Sequence, residues 1–224
     1  MKKWLLGILI ACMVFSLIGC AATEPERTEG TAPSGGTEPT QEQQENPRLG
    51  TYQDGVYSNS FLGLECRVDE QWTVATEKEL AELNGLVLDA MTDADLAAQL
   101  EKASVVHLFY AMADEGLVTM NVALENLGVI NGVLLDEKSY VELSVKQVPA
   151  ALEAIGLSGV TAEAEEMTFA GGSHWGVVIH GMLSDVNFYE KIVCVKVGNY
   201  LAAVTVGSYY EDITDQLLAK FTGI

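Results

Sequence analysis

The sequence predicts an α+β fold, a mainly antiparallel β-sheet flanked by helices on both faces. The order of periodic segments is two strands, helices, two strands, helix, four strands and helix, with neighbouring strands separated by short turn signals. Runs such as Val177-Val178-Ile179 and Ile192 to Val195 are apolar at both parities, which calls for a layer over each face of the sheet. With 49% hydrophobic residues in a chain of 224, one sizeable core is expected.

The elements follow in order. Gly55 to Phe61 and Leu64 to Val68 read as a hairpin joined at Leu62-Gly63, with Leu64, Cys66 and Val68 on one face and Glu65 and Arg67 on the other. Glu77 to Leu83 and Asp93 to Lys102 are helical, the second led by a capping-box pattern of Thr92 and Asp95. Val105 to Ala113 and Leu117 to Asn126 form a second hairpin around Asp114-Glu115-Gly116.

A long helix is expected from Glu137 to Ile155 after an Asp136 cap, since Tyr140, Val141, Val145, Val148, Leu152 and Ile155 recur at helical spacing. Pro149 inside it predicts a kink or a break. Four strands follow, Val160 to Phe169, His174 to Leu183, Asn187 to Val197 and Tyr200 to Val206, punctuated by Gly171-Gly172, Ser184-Asp185 and Gly198-Asn199. Ile213, Leu217, Leu218 and Phe221 then mark a final amphipathic helix.

The N-terminus carries a different signal. Met1-Lys2-Lys3 is a cationic start, Trp4 to Ile18 is uncharged and mostly apolar, and Gly19-Cys20 closes it, the pattern of a secretory signal peptide. Fifteen helical residues cover roughly 22 Å, short of the ~30 Å hydrocarbon core, so a spanning anchor is disfavoured. Residues 20–50 hold four of the five Pro in the chain, with many Glu and Thr and one bulky aliphatic, Leu49. Such a stretch cannot bury enough apolar surface to fold and reads as an acidic tether. The expected division is 1–19 signal peptide, 20–50 lipidated Cys and tether, and 51–224 one folded domain.

Leu17, Ile18, Gly19 and Cys20 resemble the bacterial lipobox. That resemblance implies diacylglyceryl transfer to the Cys20 thiol, cleavage before it, and acylation of the new amino group, placing the protein on the outer side of the cell membrane. Two or more acyl chains hold a protein stably at a bilayer.

Charge narrows the partners. Lys and Arg number 12 against 32 Asp and Glu, a net charge of -20. Nucleic acid is excluded because binding its backbone depends on cationic side chains displacing counterions. A basic protein partner is favoured instead.

Asp54-Gly55-Val56-Tyr57-Ser58-Asn59 with Gly63, Trp72, Phe169-Ala170-Gly171-Gly172 before Trp175, and Gly198-Asn199-Tyr200-Leu201 together resemble the Mog1/PsbP-like domains of small bacterial lipoproteins. The resemblance implies an α/β/α sandwich and a mainly non-enzymatic role. These are turn and core residues, so they carry a scaffold rather than an activity.

No catalytic constellation stands out. His174 and His180 share a strand face but lie ~20 Å apart, and His107 is on another strand, so no metal site and no cofactor is expected. Cys66 and Cys194 could form a disulfide; two buried free thiols are favoured because Cys66 sits mid-strand among core residues. Nucleophile-elbow and phosphate-loop motifs are absent from the sequence. Glu163-Ala164-Glu165-Glu166 and Asp93-Ala94-Asp95 read as solvated acidic faces. Tyr209 and Tyr210 are the candidate contact surface.

The functional expectation is a non-catalytic, membrane-tethered interaction or assembly module. A binding protein for a small ligand or cell-surface substrate is the alternative, and a carboxylate-dependent hydrolase a remote one.

Overall fold

The computed structural model describes residues 46–102 and 105–224. Leu17, Ile18, Gly19 and Cys20, with most of the tether, lie outside the described residues. The chain runs β1 (Thr51–Gln53), β2 (Val56–Asn59), β3 (Leu64–Arg67), β4 (Thr73–Val74), α1 (Glu77–Leu83), α2 (Asp93–Lys102), β5 (Val105–Ala113) and β6 (Val118–Asn126). It continues through α3 (Gly128–Leu134), α4 (Glu137–Ser144), α5 (Val148–Ala154), β7 (Ser158–Phe169), β8 (Gly172–Leu183), β9 (Val186–Val197) and β10 (Tyr200–Tyr209), then α6 (Thr214–Leu218) and β11 (Phe221–Gly223).

The fold is α+β. Its main sheet has seven antiparallel strands in the order β4-β5-β6-β10-β9-β8-β7. Strand β10 is central and nearly all buried, as its both-parity apolar run requires. Strand β7 is an edge, and its exposed Glu163, Glu165 and Glu166 blunt that edge against pairing with other chains. The turns after β7 and β8 place Ala170 (φ 49) with Gly171 (φ 85), and Ser184 (φ 49) with Asp185 (φ 67), in the left-handed region that tight two-residue hairpins demand.

Each face of this sheet carries its own core. On one face α4 and α5 pack over β7, β8 and β9, burying Tyr140, Val141, Val148 and Leu152 with Ile179, Ile192 and Cys194. The opposite face buries Leu96 and Leu100 of α2, Leu217 of α6, and Tyr57, Leu64, Cys66 and Phe221.

Three expectations change. The second face is covered partly by a second sheet, β1-β2-β3-β11, rather than by helices alone. Phe221 belongs to this sheet: the final helix ends at Leu218, and Phe221 pairs with Cys66 and packs on Phe169 with ring centroids 5.7 Å apart. The long helix is two, α4 and α5, with Pro149 in the first turn of the second, where a missing N–H costs nothing. Asp136 caps α4 by accepting from the Ser139 amide at 2.8 Å, and Thr92 and Asp95 form the expected reciprocal cap.

The folded part begins slightly before Thr51. The Arg48 carbonyl accepts from Asn59 Nδ2 at 2.9 Å, and the Leu49 carbonyl accepts from the Tyr57 hydroxyl at 3.0 Å. No helix among the described residues is long and apolar enough to cross a membrane.

Candidate functional site

A half-open groove of about 530 Å³ lies where the two sheets approach each other. One wall is β1 with Leu49 and Gly50; the other is Val74 to Glu77 with Leu80. Tyr57, His107, Leu108 and Phe109 form the floor. The aromatic rings hold one another: Tyr57 stacks on Phe109 at 4.6 Å, and Tyr52 leans over Phe109 at 6.5 Å.

Local structure explains why the groove exists. Strand β4 is two residues long and pairs only with Ala111 and Met112 of β5, leaving the edge of β5 uncovered toward His107. There Asn84 replaces a strand: its Oδ1 accepts from the His107 amide at 2.7 Å and its Nδ2 donates to the His107 carbonyl at 2.9 Å. Strand β1 ends the small sheet, so it and β4 present outer edges that pair with no strand among the described residues. Gly50 (φ 82) lets the chain enter β1 so closely that a Cβ there would meet the Ser58 carbonyl oxygen at 2.7 Å.

The groove is nearly neutral. Burial lowers the His107 imidazole to about 4, so it is uncharged at neutral pH, and Glu77 is the single carboxylate in the lining. Tyr57 is held as a neutral phenol, its pKa raised chiefly by burial. This arrangement can offer backbone hydrogen bonds and, at Tyr52, exposed aromatic surface.

The other candidate residues lie apart. His174 Nδ1 donates to Glu137 Oε1 at 3.0 Å, whereas the His180 ring meets the edge of Tyr189 at 5.4 Å. Among the described residues, no three His, Cys, Asp or Glu side chains gather as metal ligands. Cys66 and Cys194 are free thiols in separate clusters on opposite faces of the main sheet. Burial pushes the Cys66 thiol up to about 12 and raises Cys194 as well, so neither is an activated nucleophile.

Tyr209 and Tyr210 do not form one contact surface. Tyr209 packs on Phe188 at 5.1 Å, while Tyr210 turns outward, 61% exposed, with φ 71. Sequence reasoning missed Tyr52 and Phe109, which are 57 positions apart and meet only through the packing of one sheet on the other. Their signal was weak: one aromatic residue precedes the Asp54-Gly55 turn, and the other sits inside an apolar strand.

No family model and no curated protein matches the chain. Among solved structures it is similar to LpqN, described as involved in cell envelope biogenesis of Mycobacterium tuberculosis, with 9% identity, a TM-score of 0.32, and coverage of 71% of this chain and 82% of that one. A likeness this distant assigns neither family nor activity.

Proposed function

We propose that the chain is an extracytoplasmic lipoprotein, anchored through acyl chains on Cys20, whose domain binds an extended segment of a protein partner without catalysis. The observation that carries the binding part is the groove flanked by two free strand edges over an aromatic floor. An extended peptide entering there would gain main-chain hydrogen bonds from a strand edge and bury side chains on Tyr52, which is backed by the already buried Phe109, the physics of strand addition. Residues 51–224 hold 8 basic and 26 acidic residues, which favours a basic partner and salt-sensitive association. Tethering raises the local concentration of a membrane partner toward the millimolar range, so modest affinity suffices.

The groove volume of about 530 Å³ also falls within the range of small-molecule sites, which favours a small ligand as the second reading. A carboxylate-dependent hydrolase would need two converging carboxylates, and Glu77 stands alone in the groove.

Two experiments test the proposal. Cys20→Ala is expected to abolish incorporation of labelled fatty acid and leave the precursor uncleaved; labelling that persists in this variant refutes the anchor. In-cell crosslinking should capture a membrane-associated protein with the wild type, and Tyr52→Asp should reduce that capture roughly tenfold, the effect of losing ~1.4 kcal/mol of binding. Tyr52 is 47% exposed, so the substitution leaves the core intact. Undiminished capture by Tyr52→Asp would remove the groove from the interface, and a low-mass ligand retained in native mass spectrometry would favour the second reading.

A further inference from the structure

Helix α3 is apolar where it meets solvent. Val129, Ile130, Val133 and Leu134 are 73%, 74%, 78% and 72% exposed, whereas surface helices ordinarily turn such side chains inward. At about 100° per residue the four positions cover a continuous stripe about 140° wide. Gly132 lies off that stripe and faces the domain, so close to Asn199 that a Cβ would meet Oδ1 at 2.5 Å. From Leu127 to Leu135 there is no charged residue, in a chain of net charge -20. Four large aliphatics together form a patch of the size that marks an interaction site.

The ridge stands at the end of the domain where the N-terminal segment departs. Asn59 holds the Arg48 carbonyl; two residues on, Phe61 meets Tyr200 at 5.8 Å; and the adjoining Asn199 carbonyl accepts from the Leu127 amide at 3.0 Å, at the base of α3. We infer that α3 docks into the interfacial layer of the bilayer to which the chain is anchored, with Val129, Ile130, Val133 and Leu134 entering the apolar boundary; this rests on the anchoring reading above. Twenty-five residues separate Cys20 from Asn46, and a chain of that length with the tether composition read from the sequence has an average reach of about 25–30 Å, which keeps this end of the domain within contact distance of the headgroups. The ridge is convex, and lipid accommodates a convex surface without a matching groove. An acidic domain gains no attraction from anionic headgroups, so a contact made by an uncharged apolar ridge is the kind that remains open to it.

The test uses the full acylated protein reconstituted in phosphatidylcholine vesicles carrying spin-labelled acyl chains. A fluorophore is placed at Ile130→Cys or, as a control, at Glu163→Cys on the exposed edge strand; native Cys66 and Cys194 are buried. Fluorescence at position 130 should be quenched at least threefold more than at 163, and adding Val133→Asp should bring it to the control level with an unchanged thermal midpoint. Equal quenching at the two positions overturns the inference. So does a spectral shift at 130 that depends on protein concentration without vesicles, which would assign the ridge to a second copy of the chain. The mass of the N-terminal peptide reports acylation separately. Were Cys20 unacylated, the anchoring reading would fail, and Cys20→Ser protein mixed with the same vesicles would decide the ridge alone, with quenching at 130 sustaining it and none overturning it.

Discussion

Glu137→Ala is expected to cost the domain about 2–4 kcal/mol, because its carboxylate plugs a fork in the main sheet. Pairing between β8 and β9 runs from Leu183–Val186 only as far as Gly176–Val193, and beyond that point the strands part. Into the gap α4 inserts Glu137, whose Oε1 accepts from the Lys196 amide at 2.9 Å and from His174 Nδ1 at 3.0 Å, while Oε2 accepts from the Trp175 amide at 3.3 Å. One side chain thus replaces the ladder bonds of two strands and fixes the helix above them. Truncation to Ala leaves both amides without that acceptor in a partly buried place. Glu137→Gln keeps one acceptor oxygen and turns an amide donor toward the other amide, so it should lose about half as much. Urea unfolding of the three proteins checks the order wild type, Gln, Ala. Equal midpoints for wild type and Ala would show that the fork is held by something else.

Much of the fold is legible from period and punctuation. Strands β7 to β10 follow from apolar runs cut by Gly171-Gly172, Ser184-Asp185 and Gly198-Asn199, the first turn shifting by one residue to Ala170-Gly171 because Gly172 pairs with Phe169. They are legible because a tight hairpin is a local event that writes its demands into adjacent residues. The second sheet is not legible in the same way. Its last member, β11, is three residues long and pairs with β3 across most of the folded domain, a contact of high sequence separation that leaves no periodic trace. Helix α3 also escapes notice, since Gly128, Gly132, Val129, Ile130 and Val133 are poor helix formers and only the absence of charge sets the segment apart. The groove was invisible for a further reason: it is made by what β4 leaves uncovered, and a strand that stops early looks in sequence like an ordinary loop. Glu137 was legible as a helix-start acid but not as a sheet plug, because the fork it fills is a property of two other strands.

Stability is expected to fall as pH rises from 5 to 8, the reverse of what ordinary paired carboxylates produce. Burial raises the Glu125 carboxyl from 4.5 to about 7, although the hydrogen bond from the Tyr140 hydroxyl pulls it back, and burial raises Glu190 to about 8. Glu190 Oε1 has no hydrogen-bond partner among the described residues. For a carboxyl raised on folding, the unfolded chain ionises first, so its contribution to stability is complete below about 4.5 and is lost as pH climbs through the folded value. The interval from 4.5 to about 7 for Glu125 corresponds to roughly 3 kcal/mol at ~1.4 kcal/mol per pH unit, a large share of a typical 5–15 kcal/mol domain stability. Asp95 and Asp136 act in the opposite sense, since hydrogen bonds at their helix starts lower them, so their contribution is lost only as pH falls below about 4. Within the window from 5 to 8 the two glutamates act against His107, whose imidazole burial lowers from 6.5 to about 4. The unfolded chain takes up that proton below about 6.5, so this one group adds stability as pH rises from 5 to about 6.5, and the two carboxyls outweigh it. General repulsion in an acidic domain changes little there, because exposed carboxylates are already ionised at pH 5, and comparison with a variant cancels the remainder. Glu125→Gln and Glu190→Gln should each flatten the fall of the urea midpoint with pH, and the double variant should reverse it between pH 5 and about 6.5, where His107 alone acts, and leave it nearly flat above. Wild-type midpoints that rise from pH 5 to 8, or single variants whose slopes match the wild type, would mean that neither carboxyl is held protonated in the folded domain.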